Sequence, residues 1–322
     1  MTSSTLTGVR PPTEAPRTDE AESGEERIPR VSMGMPVYNG EEYLERALDS
    51  LLAQDYRDFE LIISDNGSTD RTEEICREYA ARDARIRYVR VEENQGASWN
   101  FNRAFELARG EYFRWACHDD TCEPTHLSRC VEMLDQSPDS VVLVYTRTML
   151  IDEHDTPVWT TDENLHTQGE PPHRRFGILA QRLRYSNVLY GLLRRDALAQ
   201  TDLIGPYESS DCVLLAQLSL LGEFVEIPAY LFRRRVHPAM SRQANKSSQS
   251  LAEWFTAGRG QPLRLAQIRL LREYARAIFR APIGRVEQIR SVFSLWYWFR
   301  RGARPLAREL ISVVRPGFSA YR

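Results

Sequence analysis

The chain has 322 residues, 42% of them apolar and 27% charged, which is enough for one large domain or two smaller ones. Its formal charge of −3 gives no overall signal for nucleic-acid binding. Five cysteines without a CxxC pair, and no apolar leader behind Met1, favour a reducing, cytoplasmic location over secretion.

Residues 1–28 are rich in Pro, Thr, Ser and Glu and hold almost no large apolar side chains, which predicts a disordered leader. Beyond it, short apolar runs alternate with helical periodicity. The predicted strands cover Val31–Val37, Phe59–Ser64, Ile86–Arg90, Glu111–Ala116 and Val141–Tyr145. The predicted helices cover Glu41–Gln54, Asp70–Tyr79, Ala97–Ala108 and Pro124–Leu134, the second opened by a capping box of Asp70 and Glu73.

This alternation of strands and helices predicts an α/β fold with a mostly parallel sheet covered by helices. In such sheets, ligands bind beyond the carboxyl ends of the strands. Three polar clusters follow predicted strands: PVYN at 36–39, SDNGSTD at 64–70 and HDD at 118–120. We therefore expect all three clusters to face one crevice.

The second half of the chain is less regular. NVLYGLLRR, at 187–195, is either a strand or a buried loop. ESSD opens a leucine-rich helix over Asp211–Leu221, and FVEIP and YLFRRRV read as two strands returning to the sheet. Periodic apolar residues over Leu263–Phe279 predict amphipathic helices.

The C-terminal segment is strongly basic. From Phe255 to Arg322 it has 14 arginines and three glutamates, together with Trp296, Tyr297 and Trp298. Its most apolar run, SVFSLWYWF at 291–299, is half the roughly 18 residues that a membrane-spanning helix needs. Two interpretations stay open: a tail held against anionic lipid, or an ordinary helical pair packed on the domain.

The stretch ACHDDTCEP, at 116–124, suggests a metal site. Asp119 and Asp120, just past a strand, suit a hard divalent cation that also binds phosphate oxygens, although solvation and helix capping would explain them too. Cys117 and His118 are adjacent and should point to opposite faces of an extended chain. Because no further CxxC or HxxxH completes four ligands, the pattern argues against structural zinc.

Four other residues have both a structural and a functional interpretation. Tyr38 could stack on a base or be a half-buried aromatic residue, and Asp65, at a strand end, suits a ligand contact better than a cap. Asp211 could cap its helix or act as a general base, and His237 could be a surface residue or a ligand.

The ordered motifs resemble those of the inverting glycosyltransferases of family 2. They are VSMGMPVYNGEEYLERALDSLLAQDYRDFELIISDNGSTDRT, NQGASWNFNRAFELARGEYFRWACHDDTCEP, ESSD and RRVHPAMS. The resemblance covers Val31–Ser241. It implies a Rossmann-like GT-A sandwich over 29–241, with a nucleotide-sugar half over about 29–145 and an acceptor half over about 146–241. A basic helical extension would follow over 242–322.

The resemblance also implies the roles of individual residues. Asp211 matches the catalytic base, and Asp119 and His237 match the ligands of a divalent cation, Mn²⁺ or Mg²⁺. The implied donor contacts are Pro36, Val37, Tyr38, Asp65, His118 and Asp119. Asp120, Tyr190 and Glu208 are candidate donor or acceptor contacts. The chain departs from the family pattern at Cys117, where the first aspartate of Asp-x-Asp would stand, and at Phe101, where many members have arginine.

The implied function is metal-dependent, inverting transfer of a sugar from a nucleotide-diphosphate donor, foremost a UDP-sugar, to a hydroxyl of a glycan, glycolipid or small molecule, as in polysaccharide biosynthesis. One alternative is a nucleotidyltransferase of the same fold, although the acidic turn PVYNGEEY with its single glycine counts against it. Another is a non-catalytic nucleotide-sugar-binding protein, which Cys117 and Phe101 favour and Asp211 opposes. The sequence predicts no nucleic-acid partner and does not set the oligomeric state.

Overall fold

The computed structural model describes residues 27–240, 244–245, 247–259, 265–296 and 299. The expected leader over 1–28 lies outside these ranges except for its last two residues. The basic tail beyond residue 299 lies outside them as well.

Within these ranges, nine strands form one sheet that runs through the domain. They are β1 (Val31–Val37), β2 (Phe59–Asp65), β3 (Ile86–Arg90), β4 (Tyr112–Trp115), β5 (Thr121–Cys122), β6 (Val141–Ile151), β7 (Pro157–Thr161), β8 (Leu192–Arg194) and β9 (Glu223–Arg235). The order across the sheet is β3-β2-β1-β4-β8-β6-β9-β5, with β7 paired to β6. The neighbouring strands β3, β2, β1 and β4 run parallel to one another, and so do β6 and β9. Strands β5, β7 and β8 run antiparallel to the strands they pair with.

The helices cover the sheet. They are α1 (Glu41–Leu52), α2 (Thr72–Arg82), α3 (Ala97–Glu106), α4 (His126–Gln136), α5 (Pro172–Arg182), α6 (Arg195–Ala199), α7 (Ser210–Leu221), α8 (Ser248–Thr256), α9 (Ala266–Arg280) and α10 over 285–296. Every residue of β1 and β2 is buried, as expected for central parallel strands with both faces covered. The predicted α/β class with a mostly parallel sheet and C-terminal helices is confirmed.

The second half of the sheet differs from the sequence prediction in several places. FVEIP and YLFRRRV belong to one 13-residue strand, β9, which pairs with β6 through register shifts. NVLYGLLRR divides into a 3₁₀ turn (Asn187–Tyr190) and β8. Bulges and short strands lack the long, regular periodicity that a sequence pattern detects, which is why the prediction misplaced them.

The capping box predicted for α2 is wrong. Arg71 occupies the N-cap position without a side-chain cap, while Asp70 accepts hydrogen bonds from the main-chain N–H groups of Thr72 and Glu41. Glu73 pairs with Arg77 and Arg90 instead. Asp70 therefore ties the start of α2 to the start of α1.

The C-terminal helices pack on the domain rather than standing apart. Leu270, Tyr274, Ala277 and Ile278 of α9 join the buried apolar cluster that contains Val213 and neighbouring residues of α7. No helix among the described residues is long and apolar enough to cross a membrane. The domain boundary at residues 241/242 stays a prediction.

Candidate active site

A cavity of about 440 Å³ lies where the predicted polar clusters meet. Residues after the ends of β1, β2 and β4 line it, and so do residues at the end of β9. Among the described residues, those predicted as site residues that line it are Pro36, Val37, Tyr38, His118, Asp119, Asp120, Tyr190 and His237. The parallel arrangement of β1, β2 and β4 brings the residues at the ends of these strands to one edge of the sheet, and Tyr190 and His237 reach it from the turn before β8 and from the end of β9.

An acidic cluster lies in this cavity. The ligand atoms of Cys117, Asp119 and Asp120 all lie within 4.8 Å of one another. Burial raises the pKa of the Cys117 thiol, and burial together with the charge of Asp119 raises the pKa of Asp120 to about 7. Burial also acts to raise the pKa of Asp119, but His118 and the hydrogen bond with His237 outweigh it and lower that pKa below its ordinary value.

Arg235, at the end of β9, holds the acidic cluster in place. Its side chain is fully buried, and its Nε donates to the main-chain oxygen of Asp119 at 2.9 Å. Its main-chain N–H donates to Oδ1 of Asp120 at 2.8 Å. The guanidinium also pairs with Asp155 and lies 4.8 Å from the ring centroid of Tyr43. One residue thereby fixes both aspartates.

His237 contacts Asp119 rather than joining the three-residue cluster. Its Nε2 lies 3.0 Å from Oδ2 of Asp119, and its ring packs against Tyr43. Its Nδ1 is buried without a hydrogen-bond partner among the described residues. With Nε2 on Asp119, the Nδ1 atom of His237 could accept one more hydrogen bond or ligate a cation.

The residues of the cluster fit a divalent cation. Carboxylate oxygens are the ligands that Mg²⁺ and Mn²⁺ prefer, and a thiolate adds affinity for softer ions. Because half-buried Asp119 and buried Asp120 lie side by side, a cation held by both would offset their mutual repulsion. Asp119, Asp120 and Cys117 are thus the residues that would hold the metal. Cys117 stands at the position where the sequence resemblance had indicated only a missing carboxylate.

Asp65 does not line the cavity. It is fully buried at the end of β2, where its carboxylate accepts hydrogen bonds from the Ser68 main chain and hydroxyl and from the Tyr88 hydroxyl, at 2.9, 2.6 and 2.6 Å. Arg90 Nε lies 3.4 Å away. The next residue, Asn66, lines the cavity instead. Asp65 therefore shapes the turn that presents Asn66.

Arg234 links the acidic cluster to the second half of the domain. It lines the cavity, and its charge acts on Asp120 and Cys117. On its other side, Nη1 donates to Oδ1 of Asn187 at 2.6 Å and to the main-chain oxygen of Tyr185. The sequence run RRRV indicated only a basic strand, so this role was missed.

Asp211 and Glu208 lie on the far side of this link, around the start of α7, and neither is among the residues that line the cavity. Asp211 is half-buried, and its charge contributes to the environment of Glu163. Glu163 is 8% exposed and accepts a hydrogen bond from the Asn187 main chain at 2.7 Å. Burial raises its pKa to about 7. Charge effects and hydrogen bonds thus connect Asp120, Arg234, Asn187 and Glu163 in turn, and the charge of Asp211 acts on the last of them.

Helix α8 closes part of the cavity. Ser250, Glu253 and Trp254 on this helix line it, although the sequence offered no motif there. Gly96, at the start of α3, makes the contact possible: an added Cβ would lie 2.4 Å from the main-chain oxygen of Phe255. The C-terminal extension therefore contributes to the wall of the site.

Comparison with known proteins agrees with this arrangement. The family model described as "Glycosyl transferase family 2" matches residues 32–192, half of the chain. An uncharacterized glycosyltransferase of Rickettsia typhi is 38% identical over 125 residues, which cover 39% of this chain and 38% of that protein. A Bacillus subtilis glycosyltransferase, TuaG, named for teichuronic acid biosynthesis, is 35% identical over 40% of this chain and 51% of its own length. The match thus spans less than two thirds of these relatives.

Solved structures share the fold. S. aureus TarS residues 1–349, crystallised with UDP-GlcNAc, superimposes with a TM-score of 0.64 at 16% identity, over 88% of this chain and 77% of that one. The mannosyltransferase PcManGT of Pyrobaculum calidifontis, in complex with GDP-Man and Mn²⁺, gives a TM-score of 0.51 at 18% identity, over 90% and 80% of the two chains. At such identities the likeness establishes the GT-A fold alone.

Proposed function

The chain belongs to glycosyl transferase family 2, and from this premise we propose that it transfers a sugar from a nucleotide-diphosphate donor to an acceptor hydroxyl with inversion. The observation that carries the proposal is the convergence of Tyr38 and Asn66, the acidic cluster and Arg234 on one cavity. Aromatic and amide groups suit a nucleoside, and a metal-binding cluster beside an arginine suits a diphosphate.

The residues that would hold the metal are Asp119, Asp120 and Cys117, with His237 beside Asp119. A bound Mn²⁺ or Mg²⁺ would supply positive charge to the diphosphate as the sugar–phosphate bond breaks. Arg234 lines the same cavity and, held by Asn187, adds a second, fixed positive charge. Because this arginine is prepositioned, it stabilises the leaving group without reorganisation.

Asp211 is the proposed general base. Its carboxylate accepts the proton of the acceptor hydroxyl, and the hydroxyl oxygen forms a bond to the anomeric carbon of the donor. The bond from that carbon to the diphosphate oxygen breaks, and the nucleoside diphosphate leaves with the electron pair. This single displacement inverts the anomeric carbon and requires no covalent sugar–enzyme intermediate. The aspartate needs no other role than accepting and releasing one proton.

UDP-sugars are the proposed donors, which the shared fold with TarS, crystallised with UDP-GlcNAc, supports. The proposed acceptors are hydroxyls of a glycan, glycolipid or small molecule, and the enzyme would serve polysaccharide biosynthesis. A cytoplasmic location with peripheral membrane contact through the C-terminal extension belongs to the same proposal. Such contact would bring the enzyme close to lipid-linked acceptors.

A thermal-shift screen of nucleotide sugars with and without Mn²⁺ tests the donor side. A melting temperature raised by one nucleotide class, and raised further by Mn²⁺, is expected because ligands that bind the native state stabilise it. The proposal fails if no nucleotide and no metal moves the transition. For the base, Asp211→Asn should lose donor hydrolysis and sugar transfer but keep nucleotide binding. The control Asp139→Asn, at a fully exposed position, should keep hydrolysis, transfer and nucleotide binding. Full turnover by Asp211→Asn would reject the base assignment alone.

A further inference from the structure

Within the described part of the chain, helix α10 presents an apolar face to solvent, on which Trp296 stacks against Phe299. Val286, Ile289, Phe293 and Trp296 are 62%, 58%, 73% and 59% exposed, and Val292 is 39% exposed. Positions 286, 289, 293 and 296 recur at helical spacing, so their side chains share one side of the helix. Large exposed apolar side chains grouped in this way are typical of a surface that binds another protein or a membrane.

The opposite side of α10 is firmly attached to the domain. Ser291 and Leu295 are buried, and Leu295 belongs to the main apolar cluster. Ser294 donates to the main-chain oxygen of His173 on α5, and the His173 ring pairs with Glu287 at 2.7 Å. The helix is therefore already packed against the domain on its inner side, and the exposed apolar side chains form a separate outer face.

Charge identifies the kind of partner. Arg285 and Arg290 flank the outer face, and the single acidic residue of α10 within 285–296, Glu287, points inward to His173 and also reaches Arg290. In sequence, residues 297–322 add six arginines against one glutamate. A second copy of the chain would bring the flanking arginines of two such faces together, which like-charge repulsion opposes. An anionic lipid surface would accept both the apolar side chains and the arginines.

We propose that the outer face of α10 binds peripherally to a membrane surface that contains anionic phospholipid. Phe293 and Trp296 enter the boundary between headgroups and acyl chains, while Arg285 and Arg290 contact the phosphates. This inference deepens the membrane contact proposed above by naming its surface and its lipid. It rests on the geometry of α10 and needs no transfer activity.

Flotation of the full chain with phosphatidylcholine vesicles, with and without phosphatidylglycerol, tests the proposal. Wild type should float with the anionic vesicles and much less with phosphatidylcholine alone, and added salt should weaken binding because it screens the arginines. Phe293→Ser/Trp296→Ser should bind at least about tenfold more weakly. Val158→Ser/Trp159→Ser, which removes two equally exposed apolar side chains from β7 (61% and 70% exposed), should bind like wild type.

Three results would overturn the proposal. One is a wild-type chain that does not float, and another is equal flotation of wild type and Phe293→Ser/Trp296→Ser. The third is a lipid-free dimer in sedimentation equilibrium that Phe293→Ser/Trp296→Ser dissociates, since it would assign the face to a second copy. Arg285→Gln/Arg290→Gln should lose the additional flotation that phosphatidylglycerol gives, while its flotation with phosphatidylcholine alone stays as in wild type. UDP binding, measured on the same samples, reports separately on the proposed sugar transfer.

Discussion

Arg235 Nε donates a hydrogen bond to the main-chain oxygen of Asp119 at 2.9 Å, beneath the acidic cluster of the site. The same guanidinium donates to the main-chain oxygen of Asp152 at 2.9 Å and pairs with Asp155. Because Arg235 is fully buried, these partners offset the cost of removing its charge from water. The position of Asp119 is thereby coupled to the loop between β6 and β7, on the other side of the sheet edge.

Replacing Arg235 with methionine should therefore both destabilise the chain and loosen the site. The main-chain oxygens of Asp119 and Asp152 would lose their partner in a buried place, at a cost of about 2–4 kcal/mol in the free energy of unfolding. Urea denaturation measures this change. Arg46→Met is the matched control, since Arg46 pairs with the same Asp155 but is 51% exposed. It should cost less than about 1 kcal/mol. If both variants lost the same free energy of unfolding, Arg235 would not hold Asp119 and Asp152 in place as described.

Cys117 should determine which metal the site prefers. Cys117→Asp supplies a third hard oxygen ligand, so its affinity for Mg²⁺ should rise by about tenfold. Cys117→Ser keeps the size of the side chain but removes the thiolate, so its affinity for Mn²⁺ should fall. Calorimetric titration of both ions in the presence of UDP distinguishes the variants. If both variants bind Mn²⁺ and Mg²⁺ as wild type does, Cys117 is not a ligand.

Glu163 should make stability depend on pH. Burial raises its pKa from 4.5 to about 7, so the folded state holds the proton more tightly than the unfolded state. This contribution is fully present below pH 4.5 and is lost as the pH rises through about 7. The free energy of unfolding of Glu163→Gln should depend less on pH. Relative to wild type, it should rise by about 2–3 kcal/mol between pH 5 and pH 8. Urea denaturation at both pH values measures it, and the exposed Glu153→Gln serves as the control. A constant difference at the two pH values would argue against a protonated Glu163.

Gly96 should be needed for the wall that α8 contributes to the donor site. Gly96→Ala would place a Cβ 2.4 Å from the main-chain oxygen of Phe255 and displace α8 with its cavity residue Trp254. The KM for the donor should rise by about tenfold, equivalent to about 1.4 kcal/mol. Gly169→Ala controls for backbone strain. Gly169 has a φ of +77°, similar to the +92° of Gly96, but no atom lies within 4 Å of the Cβ that the substitution adds. A similar KM in both variants would remove α8 from the donor site.

The first strands and helices of the fold were predicted well from the sequence because their signals are local. Val31–Val37 and Ile86–Arg90 are strands with the predicted bounds. The first is a short, largely apolar run between turns, which is typical of a buried parallel strand, and the second alternates apolar residues with arginines, which is typical of a partly exposed strand. The polar residues after these strands could be placed at one edge from the alternation of strands and helices alone. Tyr38 and Asp119 do line one cavity for this reason.

The remaining parts of the site depend on contacts between distant segments. Arg235 binds Asp120 and Asp119, which lie 115 and 116 positions earlier in the sequence, and Trp254 reaches the cavity only because α8 folds back on α3. Asp65 is an instructive case. Its position at a strand end suggested a ligand contact, but Ser68 and Tyr88 occupy its carboxylate. No periodicity or motif reports such pairings.

Titration of UDP into the wild-type chain and Asp119→Asn, with Mn²⁺ and with a chelator, tests the central claim most directly. In wild type, Mn²⁺ should strengthen UDP binding by at least about tenfold, because the aspartates would hold the cation and it would supply positive charge to the diphosphate. In Asp119→Asn that gain should disappear, while the exposed Asp139→Asn should retain it. UDP binding that is equally strong with metal and with chelator in wild type would contradict a metal-dependent nucleotide-sugar site.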